Sequence, residues 1–175
     1  AGRVDFDVFM RTHPANLPRF VFPDAWWREV GMEQGDPEPA PCDFLRALAW
    51  RGAAARYGDP PPGEVYARLE CEWSMVVEVG YVEYFLIVWD IAREARARGI
   101  PYLARGSSAD SLLCYCLRIS TVCPLRFHLP FERFLNRERM HFSKLADIDL
   151  DLPWDQRTEI VEYVFSRHGR DRVAM

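Results

Sequence analysis

From Asp43 onward the apolar positions fall at helical spacing. Phe44, Leu45, Leu48 and Ala49 share one face, and Gly58-Asp59-Pro60-Pro61-Pro62-Gly63 ends that unit. Val65, Leu69, Trp73 and Val76 then recur at intervals of three and four, which predicts a helix over 63–78, broken at Gly80. A third helix is predicted over 84–98, with Phe85, Val88, Trp89 and Ala92 inward and Arg93, Arg96 and Arg98 outward. Gly99-Ile100-Pro101 stops it.

The period then changes. Tyr102-Leu103 reads as a short strand running into Ala104-Arg105-Gly106-Ser107-Ser108-Ala109-Asp110-Ser111, and an apolar helix begins at Leu112. Asp147-Ile148-Asp149-Leu150-Asp151-Leu152 alternates acid and aliphatic, which is strand periodicity with every acid on one face. A last helix is predicted over 160–165, ending near His168-Gly169-Arg170. The segment before Asp43 is different in kind. Pro14, Pro18, Pro23, Pro37, Pro39 and Pro41 interrupt it, Phe20-Val21-Phe22 has the makings of a short strand, and 35–41 reads as an extended linker.

Composition narrows the class. The 175 residues are 49% hydrophobic and 27% charged, with net charge −4, as expected of a chain with a sizeable core. No apolar run approaches the ~20 residues of a membrane helix. Mild acidity argues against a chain that coats nucleic acid by charge alone, yet allows a local basic groove. Five cysteines without a signal peptide read as reduced cytosolic thiols. Cys114, Cys116, Cys123 and His128 match no paired-ligand zinc spacing and are expected as core or incidental groups. The chain starts without methionine and stops just after a helical pattern, which reads as a fragment of a longer protein.

Two motifs can carry chemistry. Arg105-Gly106-Ser107-Ser108 lies between a strand and a helix. Its serines either cap that helix or, with the glycine, the arginine and unpaired N–H groups of the helix start, cradle a triphosphate. Asp147, Asp149 and Asp151 repel one another on one strand face. They mark either a solvated edge or a site for a hard cation, magnesium or manganese. A phosphate-cradling turn followed by an Asp-x-Asp strand is the layout of a nucleotidyltransferase, in which two metals bridge a triphosphate and an attacking hydroxyl.

The stretch Tyr84-Phe85-Leu86-Ile87-Val88-Trp89-Asp90-Ile91, then Arg105-Gly106-Ser107-Ser108-Ala109-Asp110-Ser111, Phe131-Glu132-Arg133-Phe134-Leu135-Asn136 and Asp147-Ile148-Asp149-Leu150-Asp151 resembles the C-family bacterial DNA polymerases, the alpha subunits of DNA polymerase III. The resemblance runs over about 43–175. Leu45-Arg46-Ala47-Leu48-Ala49-Trp50-Arg51-Gly52-Ala53 and Cys114-Tyr115-Cys116-Leu117 look more like the error-prone branch. The resemblance implies an α+β fold: a nucleotidyltransferase-like polymerase palm, with a small mixed sheet and packed helices, preceded by a mostly helical or irregular connecting region. It divides the chain into 1–42, an irregular proline-rich linker or the end of a preceding domain, and 43–175, the N-terminal portion of the palm.

The resemblance further implies template-directed transfer of deoxynucleotides to a primer 3′-hydroxyl in a cytoplasmic protein. Asp149 and Asp151 would be catalytic magnesium ligands (manganese as a substitute) and Asp147 an accessory acid. Arg105, Gly106, Ser107 and Ser108 would hold the triphosphate. On charge grounds alone, Arg133, Arg137 and Arg139 as a group suit a phosphate-facing role, with none assigned individually. Primer–template DNA and deoxynucleoside triphosphates are the implied partners, with a sliding clamp and other replication or repair proteins engaged through regions beyond this chain. A third catalytic acid would lie past Met175. Ala104 stands where the family usually has glycine, Asp110 where it has glycine or asparagine, and the link over 140–145 is longer than usual. These departures leave a non-catalytic DNA-binding copy of the palm as the alternative.

Overall fold

The computed structural model describes residues 19–135, 146–170 and 173. Residues 1–18, Arg137, Arg139 and the link over 140–145 lie outside the described residues.

Three long helices form the body. Helix α1, Trp26–Val30, is a short preface. Helix α2, Pro41–Tyr57, starts with proline in its first turn, where a missing N–H costs nothing. Helix α3 spans Gly63–Glu78, as the spacing predicts, and α4 spans Val82–Ala97. Their apolar stripes meet in one core: Phe44, Leu45, Leu48 and Ala49 from α2, Val65, Leu69 and Val76 from α3, and Phe85, Leu86, Val88 and Trp89 from α4. Helix α2 packs on α4 and also on α5, Leu112–Cys116. Gly52 makes the α2–α5 contact possible, since a Cβ there would lie 2.0 Å from the Cys116 carbonyl oxygen.

Phe20-Val21-Phe22 forms no strand. Its aromatic rings instead seal the end of the helical core. Phe20 and Phe22 stack and edge onto Phe44 at centroid separations of 6.0 and 5.0 Å, with Trp26 at 6.0 Å. The expected boundary at 42/43 therefore falls within the first turn of α2, and Phe20 and Trp26 share one core with the long helices.

Among the described residues the sheet is a two-stranded antiparallel pair rather than the expected mixed sheet. Strand β1 is Leu103–Arg105 and β2 is Asp149–Asp151. A 3-10 turn over Gly106–Asp110 joins β1 to α5, and a second covers Phe131–Arg133. The last helix, α6 at Arg157–His168, is longer than the predicted 160–165. It is fastened to α4 through Asp90, which is 1% exposed. The Arg93 Nη2 donates to Asp90 Oδ1 at 2.9 Å, while the Tyr163 hydroxyl and the Arg167 Nε donate to Oδ2 at 2.6 and 3.2 Å. Arg93 is thus turned to a buried carboxylate rather than outward. Arg167 also donates to the Val21 carbonyl at 2.7 Å, which ties the N-terminal segment to the same point. Burial, reinforced by the hydrogen bond to Asp90, pushes the Tyr163 phenol above its ordinary range. No helix among the described residues is long and apolar enough to cross a membrane.

All five cysteines are free thiols. Burial pushes Cys116 up to about 12 and raises Cys114 further, with Arg56 and Ser111 respectively opposing. A thiolate is the reactive form. In the native protein at neutral pH, a thiol-specific reagent is therefore expected to label exposed Cys71 first and to leave Cys114 and Cys116 unlabelled until denaturant is added, as read by peptide mass.

Candidate active site

Strand pairing brings the two motifs together. The register sets Leu103 opposite Asp151, Ala104 opposite Leu150 and Arg105 opposite Asp149. Directly opposed residues of an antiparallel pair point to the same side. Leu103, Arg105, Asp149 and Asp151 therefore make one exposed face, while Ala104 and Leu150 pack against the core. Asp147 is exposed as well, with Ile148 half-buried beside it. The alternation read from the sequence is present, but only 149–151 form ladder bonds.

The Arg105 Nε lies 3.0 Å from Asp151 Oδ2, with both side chains more than half exposed. This ion pair offsets part of the repulsion between acids two residues apart. Such an exposed pair is worth about 0–1 kcal/mol, so it is readily exchanged for another partner. The acid strand is also held from behind. The Ile148 N–H donates to the Tyr84 hydroxyl at 2.8 Å, and burial pushes that phenol up to about 12.

Gly106 follows β1 with φ +76°, a left-handed conformation that suits glycine. A Cβ at this position would meet nothing within 4 Å, so the turn presents bare backbone to open space. Ser107 is half-buried. Ser108 is fully buried, and its hydroxyl donates to the Arg105 carbonyl at 3.0 Å, so it shapes the turn from within.

The helix that follows does not supply the free N–H groups expected from the sequence. Glu72 of α3, fully buried, occupies them. Its Oε1 accepts the Leu112 N–H and its Oε2 the Leu113 N–H, each at 3.0 Å. The Ser111 hydroxyl donates to Oε2 at 2.8 Å and itself accepts the Cys114 N–H at 3.1 Å, so Ser111 is the N-cap. The Arg68 Nε donates to Oε1 at 2.5 Å. Burial raises the Glu72 carboxyl from its ordinary value, and the Leu113 N–H, Arg68 and the Leu112 N–H pull the other way. Neither Glu72 nor Asp90 was assigned a role from the sequence. The available hint for Glu72 was an acid set on the buried stripe between Leu69 and Val76.

Two of the departures from the family pattern have buried side chains. Ala104 is 5% exposed and faces the core. Asp110 is 4% exposed, and its Oδ2 lies 3.5 Å from the Arg133 Nε. Arg133 is therefore turned toward Asp110.

Two carboxylates on one exposed strand face are hard oxygen donors. Magnesium is commonly bound by one or two carboxylates together with substrate phosphates and waters, and Asp149 and Asp151 fit that role. Among the described residues no group of three His, Cys, Asp or Glu side chains is gathered closely enough to hold a metal ion unaided.

A family model described as the bacterial DNA polymerase III alpha NTPase domain matches residues 43–175. The error-prone DNA polymerase of Anaeromyxobacter sp. (strain K) is 45% identical over 136 residues, which is 78% of this chain and 12% of that relative. That of Rhodopirellula baltica is 40% identical over 147 residues, 84% of this chain and 13% of the relative. That of Vibrio campbellii is 36% identical over 164 residues, 94% of this chain and 16% of the relative. The chain thus spans only a small part of the length of the curated relatives it matches.

Glu72→Ala would leave the Arg68 guanidinium, the Ser111 hydroxyl and two backbone N–H groups without their acceptor. Breaking a buried charged set in this way costs about 3–5 kcal/mol. Thermal melting of Glu72→Ala should show a loss of that order, and Glu72→Gln, which keeps the shape and one acceptor oxygen, a smaller one.

Proposed function

This chain belongs to the bacterial DNA polymerase III alpha family, and on that premise we propose that it carries the metal- and nucleotide-binding part of a template-directed DNA polymerase. The reaction joins a primer 3′-hydroxyl oxygen to the α-phosphorus of a deoxynucleoside triphosphate. The bond to the pyrophosphate oxygen breaks, and the hydroxyl proton is lost. The observation that supports this reading best is the strand register, which sets Arg105 at the mouth of the Gly-Ser turn directly across from Asp149 and in contact with Asp151.

In this reading Asp149 and Asp151 hold the magnesium, with Asp147 as an accessory acid. Bound there, magnesium supplies charge neutralisation for the triphosphate and activates the hydroxyl. The chain's own residues do the rest. The Gly106 backbone, bare toward solvent, allows a phosphate to approach the N–H groups of the turn without a side chain between. Ser107 contributes a hydroxyl there, and Ser108 holds the shape of the turn through the Arg105 carbonyl. Arg105 exchanges its weak pair with Asp151 for phosphate oxygens, which a planar guanidinium engages in a fork. Primer–template DNA and deoxynucleoside triphosphates are the substrates. The relatives' printed name, error-prone DNA polymerase, favours synthesis across damage over bulk replication. Of the departures behind the non-catalytic alternative, Ala104 and Asp110 have buried side chains, while the longer link over 140–145 lies outside the described residues.

Primer extension by the intact protein tests the reading. Magnesium-dependent extension should fall more than about a hundredfold in Asp151→Asn, because even an outer partner of a metal ligand is worth ten- to a hundredfold. A well-folded wild-type protein that binds DNA and extends no primer would leave the scaffold copy as the better account.

A further inference from the structure

A cavity of about 610 Å³ opens where α2, the end of α4 and the segment after α5 meet. It shares no lining residue with the Gly106 turn or the acid strand. Arg56, Arg96 and Arg118 line it with Ser120 and Thr121, and no carboxylate does. Among the described residues none of these three arginines is in an ion pair. Arg98, from the same helix end as Arg96, shows the ordinary arrangement by pairing with Glu94 at 2.8 Å.

Arg96 and Arg56 are held in place by neutral groups. The Arg96 Nη1 donates to the Tyr102 hydroxyl at 2.5 Å and to the Arg118 carbonyl at 3.1 Å, and the Tyr102 hydroxyl donates to that same carbonyl. The Arg56 guanidinium lies 3.7 Å from the centre of the Tyr115 ring, and its buried Nε makes no hydrogen bond. Ser120 is 1% exposed, and its oxygen accepts the Val122 N–H at 3.1 Å, which leaves its hydroxyl proton to donate. Arg118 has φ +60°, the left-handed residue that ends α5, where the Ile119 N–H returns to the Cys114 carbonyl. An unbonded buried donor and three arginines without an ion pair among the described residues thus converge on one concavity. An anion of fork geometry answers both, and phosphate is the anion that arginine forks and hydroxyls match. The volume suits a group as large as a nucleotide.

We propose that this cavity binds a phosphate group, either of a free nucleotide or of a nucleic-acid strand, at a second site separate from the acid strand. The proposal does not rest on polymerase activity.

The test uses the intact protein without divalent metal, titrated calorimetrically with inorganic phosphate and, separately, with a short oligothymidylate. Arg118→Gly is the first variant, because glycine accepts the left-handed conformation and the fold should survive, as melting would check. Arg96→Gln is the second. Each should weaken binding about tenfold, the effect of losing a charged hydrogen-bond donor. A readout that needs no variant is labelling by phenylglyoxal, from which the bound probe should shield Arg96 and Arg118. Shielding and weakened binding with phosphate support a free-anion site. The same result with the oligothymidylate alone supports a strand-backbone site. If neither probe binds, or both bind the two variants as tightly as wild type and shield neither arginine, the proposal is overturned.

Discussion

The buried carboxylate of Glu72 fixes the geometry around which the candidate site is built. A charge taken out of water is tolerated only when its lone pairs are filled. Here one guanidinium, one hydroxyl and two backbone N–H groups fill them. Because those donors come from α3, from Ser111 and from the first residues of α5, one residue locks the start of α5 to the long helix beneath it. The turn over Gly106–Asp110 is the span left between that lock and β1. Its conformation is set by its two fixed ends and by a glycine able to take a positive φ.

This lock has a chemical consequence. The start of α5 is already satisfied by protein, so its backbone dipole is spent on Glu72 and not on an exogenous anion. The positive character available near the acids comes instead from Arg105 and from the exposed backbone of the turn. Arg105 is shared between two tasks: it relieves the repulsion of the acid strand, and it stands at the entrance to the Gly-Ser turn. A weak, exposed ion pair leaves Arg105 free to exchange Asp151 for another partner. Asp90 plays the complementary structural part, tying α6 and the N-terminal segment to the far side of α4 while Tyr84 holds the entry to the acid strand.

Much of this was legible in the sequence. The helix over 63–78 has the predicted bounds, because its apolar stripe and its flanking proline and glycine agree. The alternation of acids and aliphatics correctly placed Asp147, Asp149 and Asp151 on the exposed side. The two motifs were recognisable as partners, although their register could not be read, because antiparallel pairing between residues over forty positions apart leaves no local trace. Glu72 and Asp90 were missed for a physical reason. An acid on a helix reads as solvated unless its donors are known, and those donors lie largely on other elements. Phe20 and Phe22 look like strand residues by composition. They are coil because the aromatic core beside Phe44 rewards burial without needing a ladder.

The central claim is that the Gly-Ser turn and the acid strand form one site. The affinity of the intact protein for a deoxynucleoside triphosphate, with and without manganese, tests it most directly. The comparison is between wild type and Asp149→Asn/Asp151→Asn. The account predicts that manganese tightens nucleotide binding about tenfold or more in wild type and not in the double variant, as two ligands coupled through shared residues require. Equal tightening in both proteins would contradict it.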